Sequence, residues 1–563
     1  MSKPIYYNTA LKQSCSASPD ASDHFRLHQG RPFTRSQRAH TTVLTGGLPQ
    51  RNQRLMQGAW EALGYKVETL PAPDLVAYQL GKEFGNNGMC NPAYFTVGSL
   101  LKHIKQLEDA GLSKTEIVDQ YVYLTAGSFG PCRFGMYEAE FQVALKNFGY
   151  QDFRVIILQQ KAGLIQGGEN DGLEINVDFC LGLMYAFVLG DLLNDIGFQI
   201  RPYEAVTGET DKVLNACLED LYQVMRTKRH FEFPNFLDAI LKKFPETRSK
   251  LRYGAKFVHA LLARDYQKAF ERGCAKLEQI KVNFTQPKPL VRIVGEFWAQ
   301  RAEGAGNFHL FSFLEKEGCE VAVEPLTSWM MYMLHQKKQS LRRERQMANF
   351  GTGPSQSVIG KIMCLLKNYR SWFIINLTEK LFIREWNRHR AALGSIPREL
   401  FDQQKLGDAA HAFYHTGLSG GEGHLEVGTN ILAAKEKLAH MIISVKPFGC
   451  LPSTQSDAVQ SAVVTKYSDI AFLAVETSGA GASAAYSRIQ MALSDVKIKA
   501  KQEFTEVQGS IAHTLDEVQS AIAANPNFSS AVQVLPEDSK LTGRAARFVK
   551  QIDGMLKQSE ARS

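Results

Sequence analysis

A chain of 563 residues, 44% hydrophobic and 22% charged, is too long for one core and ordinary for a soluble globular protein of two to four domains. The net charge of +8 is small for this length and scattered along the chain, which excludes a concentrated nucleic-acid footprint. Nine cysteines are too sparse for a disulfide scaffold, and Met1 to Tyr7 lacks the apolar core of a signal peptide. The expectation is a cytoplasmic protein with reduced thiols, no nucleic acid and no membrane partner.

Residues 1–37 are polar and irregular, with Ser14, Ser16, Ser18 and Asp20 followed by Arg26, Arg31, Arg35 and Arg38, and read as an arm. From Thr41 strand and helix patterns alternate. Thr41–Thr45 is a strand ending at Gly46-Gly47, a helical stripe runs through Leu55, Trp60 and Leu63, and Lys66–Leu70 is strand-like. Phe95–Leu107 is helical, Tyr121–Thr125 a strand, Tyr137–Phe148 a helix and Phe153–Leu158 a strand. Such alternation predicts βαβ units and a parallel sheet. Residues 173–285 carry helical stripes, Leu214, Cys217, Leu218, Leu221 and Met225 being one. The most apolar stretch, Phe179–Gly190, is too short to span a bilayer and is flanked by Asp178 and Asp191.

A second alternation starts at Leu290–Val294, runs into Gly295-Glu296, and continues with a helix at Phe311–Glu317 and a strand at Glu320–Val323. A helical insertion over 329–410 precedes strands at Met441–Val445 and Ile470–Val475. Tyr486–Ala523 predicts one or two helices, and the polar, basic remainder reads as a fraying tail. The divisions are 1–37 (arm), 38–285 and 286–485 (two α/β lobes with helical insertions) and 486–563 (C-terminal helices and tail). The predicted fold is α/β, with two Rossmann-like lobes built on mainly parallel sheets.

Three cysteines stand in short Gly/Pro-bounded loops: Cys90 in Asn87-Gly88-Met89-Cys90-Asn91-Pro92, Cys132 in Gly130-Pro131-Cys132-Arg133-Phe134-Gly135, and Cys450 in Pro447-Phe448-Gly449-Cys450-Leu451-Pro452. Two of these loops follow predicted strands, and ligands of parallel sheets gather at the carboxyl ends of strands. Three thiolates meeting there can hold an iron–sulfur cluster with one open iron. One redox-active or nucleophilic cysteine is the rival reading, since no CxxC pair is present. Cys180, Cys217, Cys274, Cys319 and Cys364 lack such punctuation and read as buried, inert thiols. Glu296, at a strand end, is a crevice carboxylate, a helix cap or an arginine partner. The loop Ser419–Gly428 can cradle a phosphate, carry Glu422 and His424 as an acid/base pair, or serve as a plain turn. Ser478-Gly479-Ala480-Gly481 is half of a dinucleotide fingerprint and fits a close-packed strand-to-helix turn better. Lys337, Lys338, Arg342, Arg343 and Arg345 make a basic helix segment: a solvated face, or a dock for an acidic partner or coenzyme A phosphates. No GxxxxGK[ST] motif is present, so ATP hydrolysis is not expected of this chain.

Asn86-Asn87-Gly88-Met89-Cys90-Asn91-Pro92-Ala93-Tyr94-Phe95, Gly130-Pro131-Cys132-Arg133-Phe134-Gly135-Met136-Tyr137 and Lys446-Pro447-Phe448-Gly449-Cys450-Leu451-Pro452-Ser453 together resemble the cysteine motifs of the 2-hydroxyacyl-CoA dehydratase superfamily, nearest its CoA-enzyme activase-related branch. Ile200–Glu204, Gly208–Asp211, Val294–Glu296 and Gly421–His424 are further echoes, and the likeness spans roughly residues 38–485. The resemblance implies two Rossmann-like lobes with a 4Fe–4S cluster between them, or a double-cubane form, held by Cys90, Cys132 and Cys450. It implies a separate ATP-hydrolysing activator that injects one electron, a CoA-thioester substrate, a homo- or heterodimer, and lyase or reductase chemistry. The alternative is a non-catalytic cluster carrier or scaffold in a dehydratase/activase complex.

Overall fold

The structure, a computed structural model, describes residues 31–127, 131–159, 171–228, 245–349, 358–418, 420–536 and 540–561, with Phe233, Phe236 and Asp538. Two four-stranded sheets, parallel throughout, organise it. The first joins β1 (Thr42–Thr45), β2 (Lys66–Thr69), β3 (Tyr121–Gly127) and β4 (Arg154–Gln159) in the order β2-β1-β3-β4. The second joins β5 (Leu290–Gly295), β6 (Glu320–Val323), β7 (Met441–Pro447) and β8 (Ala471–Thr477) in the order β6-β5-β7-β8. Val43 sits opposite Val67 and Val122, and Ile293 opposite Val323 and Ile443. Every residue of β5 and β7 is buried, as expected for inner strands covered on both faces. In each sheet the strand order reverses beside the first strand, so the crevice at the carboxyl ends opens between β1 and β3 and between β5 and β7.

In the first lobe α1 (Gln50–Glu61) links β1 to β2. Then come α2 (Leu75–Phe84), α3 (Asn91–Asp109) and α4 (Lys114–Gln120), with α5 (Tyr137–Asn147) after β3. Only the middle of α3 is legible as a helix in sequence. It begins at Asn91, with a proline in its first turn, where the missing N–H costs nothing. The helical elaboration is α6 (Val177–Ile200), α7 (Glu209–Arg226), α8 (Pro245–Leu262) and α9 (Asp265–Leu277). The second lobe adds α10 (Leu310–Lys316), the insertion helices α11 (Leu326–Asn349), α12 (Val358–Ala392) and α13 (Gln403–Ala410), then α14 (Gly423–Lys435) and α15 (Leu451–Lys466). The chain finishes with α16 (Ala482–Ser510), α17 (Leu515–Ala524) and α18 (Arg544–Glu560).

Several expectations are corrected. The apolar stretch belongs to a longer segment, Val177–Tyr203, which among the described residues is the one helix long and apolar enough to cross a membrane. It serves as a core helix: 61% of its most apolar window is buried inside the fold, against Leu55, Leu214, Phe270 and Trp386 among others. The tail does not fray. Phe548, Val549 and Ile552 of α18 are buried, and the Arg544 guanidinium donates to Glu320 of β6 at 2.9 and 3.0 Å. Cys364 is exposed, unlike Cys217, Cys274 and Cys319, which are buried as expected; Cys180 is half-buried. Of the arm, Arg31 to Gln37 is described. Phe33 is buried and Thr34 bridges to Asp171, while residues 1–30 lie outside the described residues.

The lobes are packed on each other. Phe95 of α3 lies 5.4 Å from Trp298 between ring centroids, within the core of the second lobe. Gly479 meets the ring of Tyr78 so closely that a Cβ would stand 1.8 Å from it, which settles the 478–481 segment as a close-packed turn at the lobe boundary.

Candidate functional site

Cys90 is the N-cap residue of α3 and Cys450 that of α15, each followed by a proline in the first helical turn. Cys132 caps the 3-10 turn Arg133–Met136, its Sγ accepting the Phe134 N–H at 3.5 Å. A helix N-terminus turns backbone N–H groups and a partial positive charge toward an anionic sulfur. All three thus occupy the same kind of place, at the carboxyl-end crevice of the two sheets.

The loops carrying them close on one another. Asn91 N–H donates to Phe448 O at 3.3 Å, and the Asn91 amide donates to Thr477 O at the end of β8. A Cβ placed on Gly449 would stand 3.6 Å from Cys90 Cα and 3.9 Å from the Arg133 guanidinium. One on Gly420 would press within 2.7 Å of the Pro131 ring, and one on Gly421 within 2.1 Å of Pro452. Gly420, Gly421 and Gly449 also have φ of +99°, +72° and +78°, so glycine answers both the turn and the close approach. First-lobe loops at Cys90 and Cys132 therefore meet second-lobe loops at Cys450 and Glu422.

Around the thiols the charge is largely negative. Cys90 Sγ lies 3.3 Å from the Tyr137 hydroxyl, its hydrogen-bond partner. Burial above all, with the charges of Glu296 and Glu422, outweighs the hydrogen bonds that favour the thiolates. It raises the Cys90 thiol, pushes Cys132 up to about 12 and raises Cys450 further. Glu296 Oε2 accepts from the N–H groups of Trp298 at 3.0 Å and Ala299 at 2.7 Å, so it caps the turn that follows β5, where no helix starts. Burial raises its carboxyl nonetheless. Glu422, the N-cap residue of α14, is only 8% exposed, and burial followed by the Glu296 charge pushes it up to about 8. Behind it lies a small cavity, bounded by Gly295, Gln300, Glu324, Glu426 and Thr429. The Gln300 Oε1 and Thr429 Oγ1 atoms are buried there without a protein partner.

The glycine-rich segment expected as a loop is helical from Gly423 onward, and Ser419 lies outside the described residues. Gly423 and Gly428 sit inside the helix because a Cβ would strike Tyr414 Oη at 2.1 Å and Leu406 O at 2.4 Å. His424 is consequently buried on a helix face. Its ring lies 4.6 Å from Tyr332 and 5.3 Å from His335, and neither nitrogen has a hydrogen-bond partner. Burial, then the His335 charge, lowers it to about 3, so it is neutral, and no hydrogen bond joins it to Glu422. The basic segment of α11 is partly used in packing: Lys338 pairs with Glu379 and Arg343 donates to Gly417 O at 2.7 Å. Tyr137 and Arg133 belong to the Cys132 motif, and their nearness to Cys90 follows from the helical turns that start just after Cys132.

Among the described residues no three His, Cys, Asp or Glu side chains draw close enough to hold a single metal ion. A cubane spreads its ligands wider, its corner thiolates standing roughly 7 Å apart. The crevice rim carries exposed apolar side chains: Met136, Leu418, Phe448 and Leu451. No family model, no curated protein and no solved structure matches the chain.

Proposed function

We propose that the interlobe crevice holds an iron–sulfur cluster through Cys90, Cys132 and Cys450, and that the protein is a reductive or radical-dehydration enzyme of the 2-hydroxyacyl-CoA dehydratase type. The observation that carries this reading is the convergence of three helix-capping thiols, supplied by both lobes, on one buried crevice beside Glu296 and Glu422. The donor set fits such a group. Left alone, these thiols stay protonated; a cationic iron core is what makes thiolates stable among two carboxylates. When bound, the cluster supplies one electron at low potential and an open iron position.

The chain's own groups divide the remaining work. Tyr137 hydrogen-bonds Cys90, and the Arg133 charge favours its thiolate. Glu296 is fixed by two backbone donors, and burial, followed by the Glu296 charge, keeps Glu422 protonated at neutral pH. A protonated Glu422 can give its proton to a departing hydroxyl. The apolar rim of Met136, Leu418, Phe448 and Leu451 suits the docking of an ATP-hydrolysing electron donor, since aromatic and Met side chains favour interfaces. One observation favours the carrier alternative: a partly open cleft away from the thiols is lined by Arg292, Arg301, Arg398 and Trp386 and by none of the cysteines.

The test is anaerobic purification with iron and sulfide analysis. About four irons per chain are expected, with visible absorption removed by Cys90→Ser, Cys132→Ser or Cys450→Ser and kept by Cys274→Ser. Iron that survives all three substitutions sinks the reading. In EPR with a mild reductant, signal growth only when activator and ATP are both present supports gated electron entry. Full reduction without them leaves an ordinary carrier.

A further inference from the structure

The α11–α12 hairpin is unlike the rest of the molecule. The C-terminal part of α12 is anchored: Glu385 accepts from the Tyr185 hydroxyl, and Arg388 donates to the carbonyls of Leu261 and Ala263. Closer to its N-terminus α12 is held by α11. Asn368 donates to Leu341 O and Glu344, Lys338 pairs with Glu379, and Arg345 stacks over Tyr369 and Trp372. The opposite face of this stretch is apolar and exposed. Ile362, Leu366, Phe373 and Leu377 follow helical spacing, flanked by Met363 and Ile374, each at least 46% exposed. Of the 23 large hydrophobic side chains exposed among the described residues, 8 lie on α12. From Ile362 to Leu377 the stripe runs four turns, on the order of 20 Å.

Charge distinguishes this face from an ordinary protein interface. Between Lys337 and Arg384 the sequence has 10 Lys or Arg against 2 Glu, an excess of +8 that equals the net charge of the whole chain. Both glutamates are engaged, Glu379 by Lys338 and Glu344 by Ser340 and Asn368. Among the described residues no carboxylate forms an ion pair with Lys367, Arg370 or Lys380, which are exposed beside or in line with the stripe. A second copy docked through a twofold axis would oppose these same cations to one another. An apolar stripe bordered by unpaired cations, with the exposed Tyr369 at its edge, matches the interfacial zone of an anionic bilayer.

We propose that the α11–α12 hairpin is a reversible docking arm for anionic lipid membranes, laying the Ile362–Leu377 stripe into the interface with Lys367, Arg370 and Lys380 against headgroups. This runs against the expectation of no membrane partner and is independent of what the crevice binds.

The experiment is flotation of the full-length protein with vesicles of phosphatidylcholine alone and of phosphatidylcholine with phosphatidylglycerol. Expected are binding to the anionic vesicles only, weakening as salt rises, and a loss of at least about tenfold in partitioning with Leu366→Glu/Phe373→Glu. Lys367→Glu/Arg370→Glu, charge changes at exposed positions, should weaken binding and flatten its salt dependence. Met491→Glu, on the exposed face of α16, should change nothing. No flotation with anionic vesicles overturns the proposal, as does flotation indifferent to both double substitutions. A dimer dispersed by Leu366→Glu/Phe373→Glu, without lipid binding, assigns the face to self-association or a protein partner instead.

Discussion

The two lobes repeat one topology and fill it differently. In each, the first strand runs into a glycine-containing turn: β1 into Gly46-Gly47, β5 into Gly295-Glu296. In each, a helix between the second and third strands points its N-cap residue into the crevice. That residue is Cys90 on α3 and Glu422 on α14. In each, the loop after the third strand delivers a cysteine, Cys132 after β3 and Cys450 after β7. The first lobe therefore brings two thiols and the second one thiol and two carboxylates. Topology fixes where a side chain arrives, and the residue at that place fixes which charge the crevice receives.

The lobes differ again at their edge strands, and the largest effect is expected there. Lys66 opens β2 and is exposed, whereas Glu320 opens β6 and is 2% exposed. Glu320 accepts from the Tyr203 hydroxyl at 3.1 Å, from Arg398 at 2.6 Å and from Arg544, tying β6 to the C-terminal helix. Glu320→Gln leaves buried guanidinium groups short of a counter-charge, which should cost about 3–5 kcal/mol in denaturant unfolding. Lys66→Ala should stay within about 0.5 kcal/mol. Burial pushes the Glu320 carboxyl up, but the charges and hydrogen bonds of Arg544 and then Arg398 win and hold it at about 2. Its folded value lies below the ordinary 4.5, so its stabilisation is present above pH 4.5 and is lost as pH falls toward 2. Wild type and Glu320→Gln should converge in stability over that window; parallel curves would break the argument.

A smaller effect separates the paired N-cap residues. Glu422 sits at about 8 against an ordinary 4.5, so ionisation opposes folding. The sign is opposite to that of Glu320. Metal-free protein should lose stability as pH rises from 4.5 to 8 and level off above. Glu422→Gln removes this slope, and its advantage over wild type should grow steadily as pH rises to 8. Cys90, raised above an already high thiol value, is neutral across the same range. Cys90→Ser should therefore add no slope between pH 5 and 8. A sloping Cys90→Ser difference would mean that thiol is ionised in the absence of metal.

Sequence patterns exposed the parts of this design that depend on local chemistry. Strands such as Leu290–Gly295 and Met441–Pro447 are mostly apolar runs, and Gly/Pro punctuation marks all three cysteine turns. What escaped depends on distant partners. Gly423 and Gly428 look like loop residues, yet α14 forms because Tyr414 and Leu406 occupy the space side chains would need. Arg544 to Glu560 looks like a polar tail because its anchor, Glu320, lies 224 residues away. α2 was missed because Leu75 and Val76 are exposed and blur its stripe, although Asp74 caps it by accepting the Ala77 N–H. Cys364 gave no sign of exposure because the hydrophobic run around it faces outward.

The smallest expected effect lies at the remaining equivalent pair, Gly47 and Glu296. Gly47 has φ of +87°, and a Cβ there would stand 3.4 Å from Thr96 Cγ2 and 3.8 Å from Trp298 Nε1. Space is thus tolerable, and the left-handed backbone is the main obstacle to a side chain. Gly47→Ala should cost about 1 kcal/mol, the ordinary penalty for an L-residue in that conformation. It should not alter iron content, because position 47 offers no ligand. A cost of several kcal/mol would mean that the Thr96 and Trp298 side chains flanking position 47 yield less than these separations indicate. A loss of iron would show that the first lobe's glycine, like its counterpart Glu296, shapes the crevice itself.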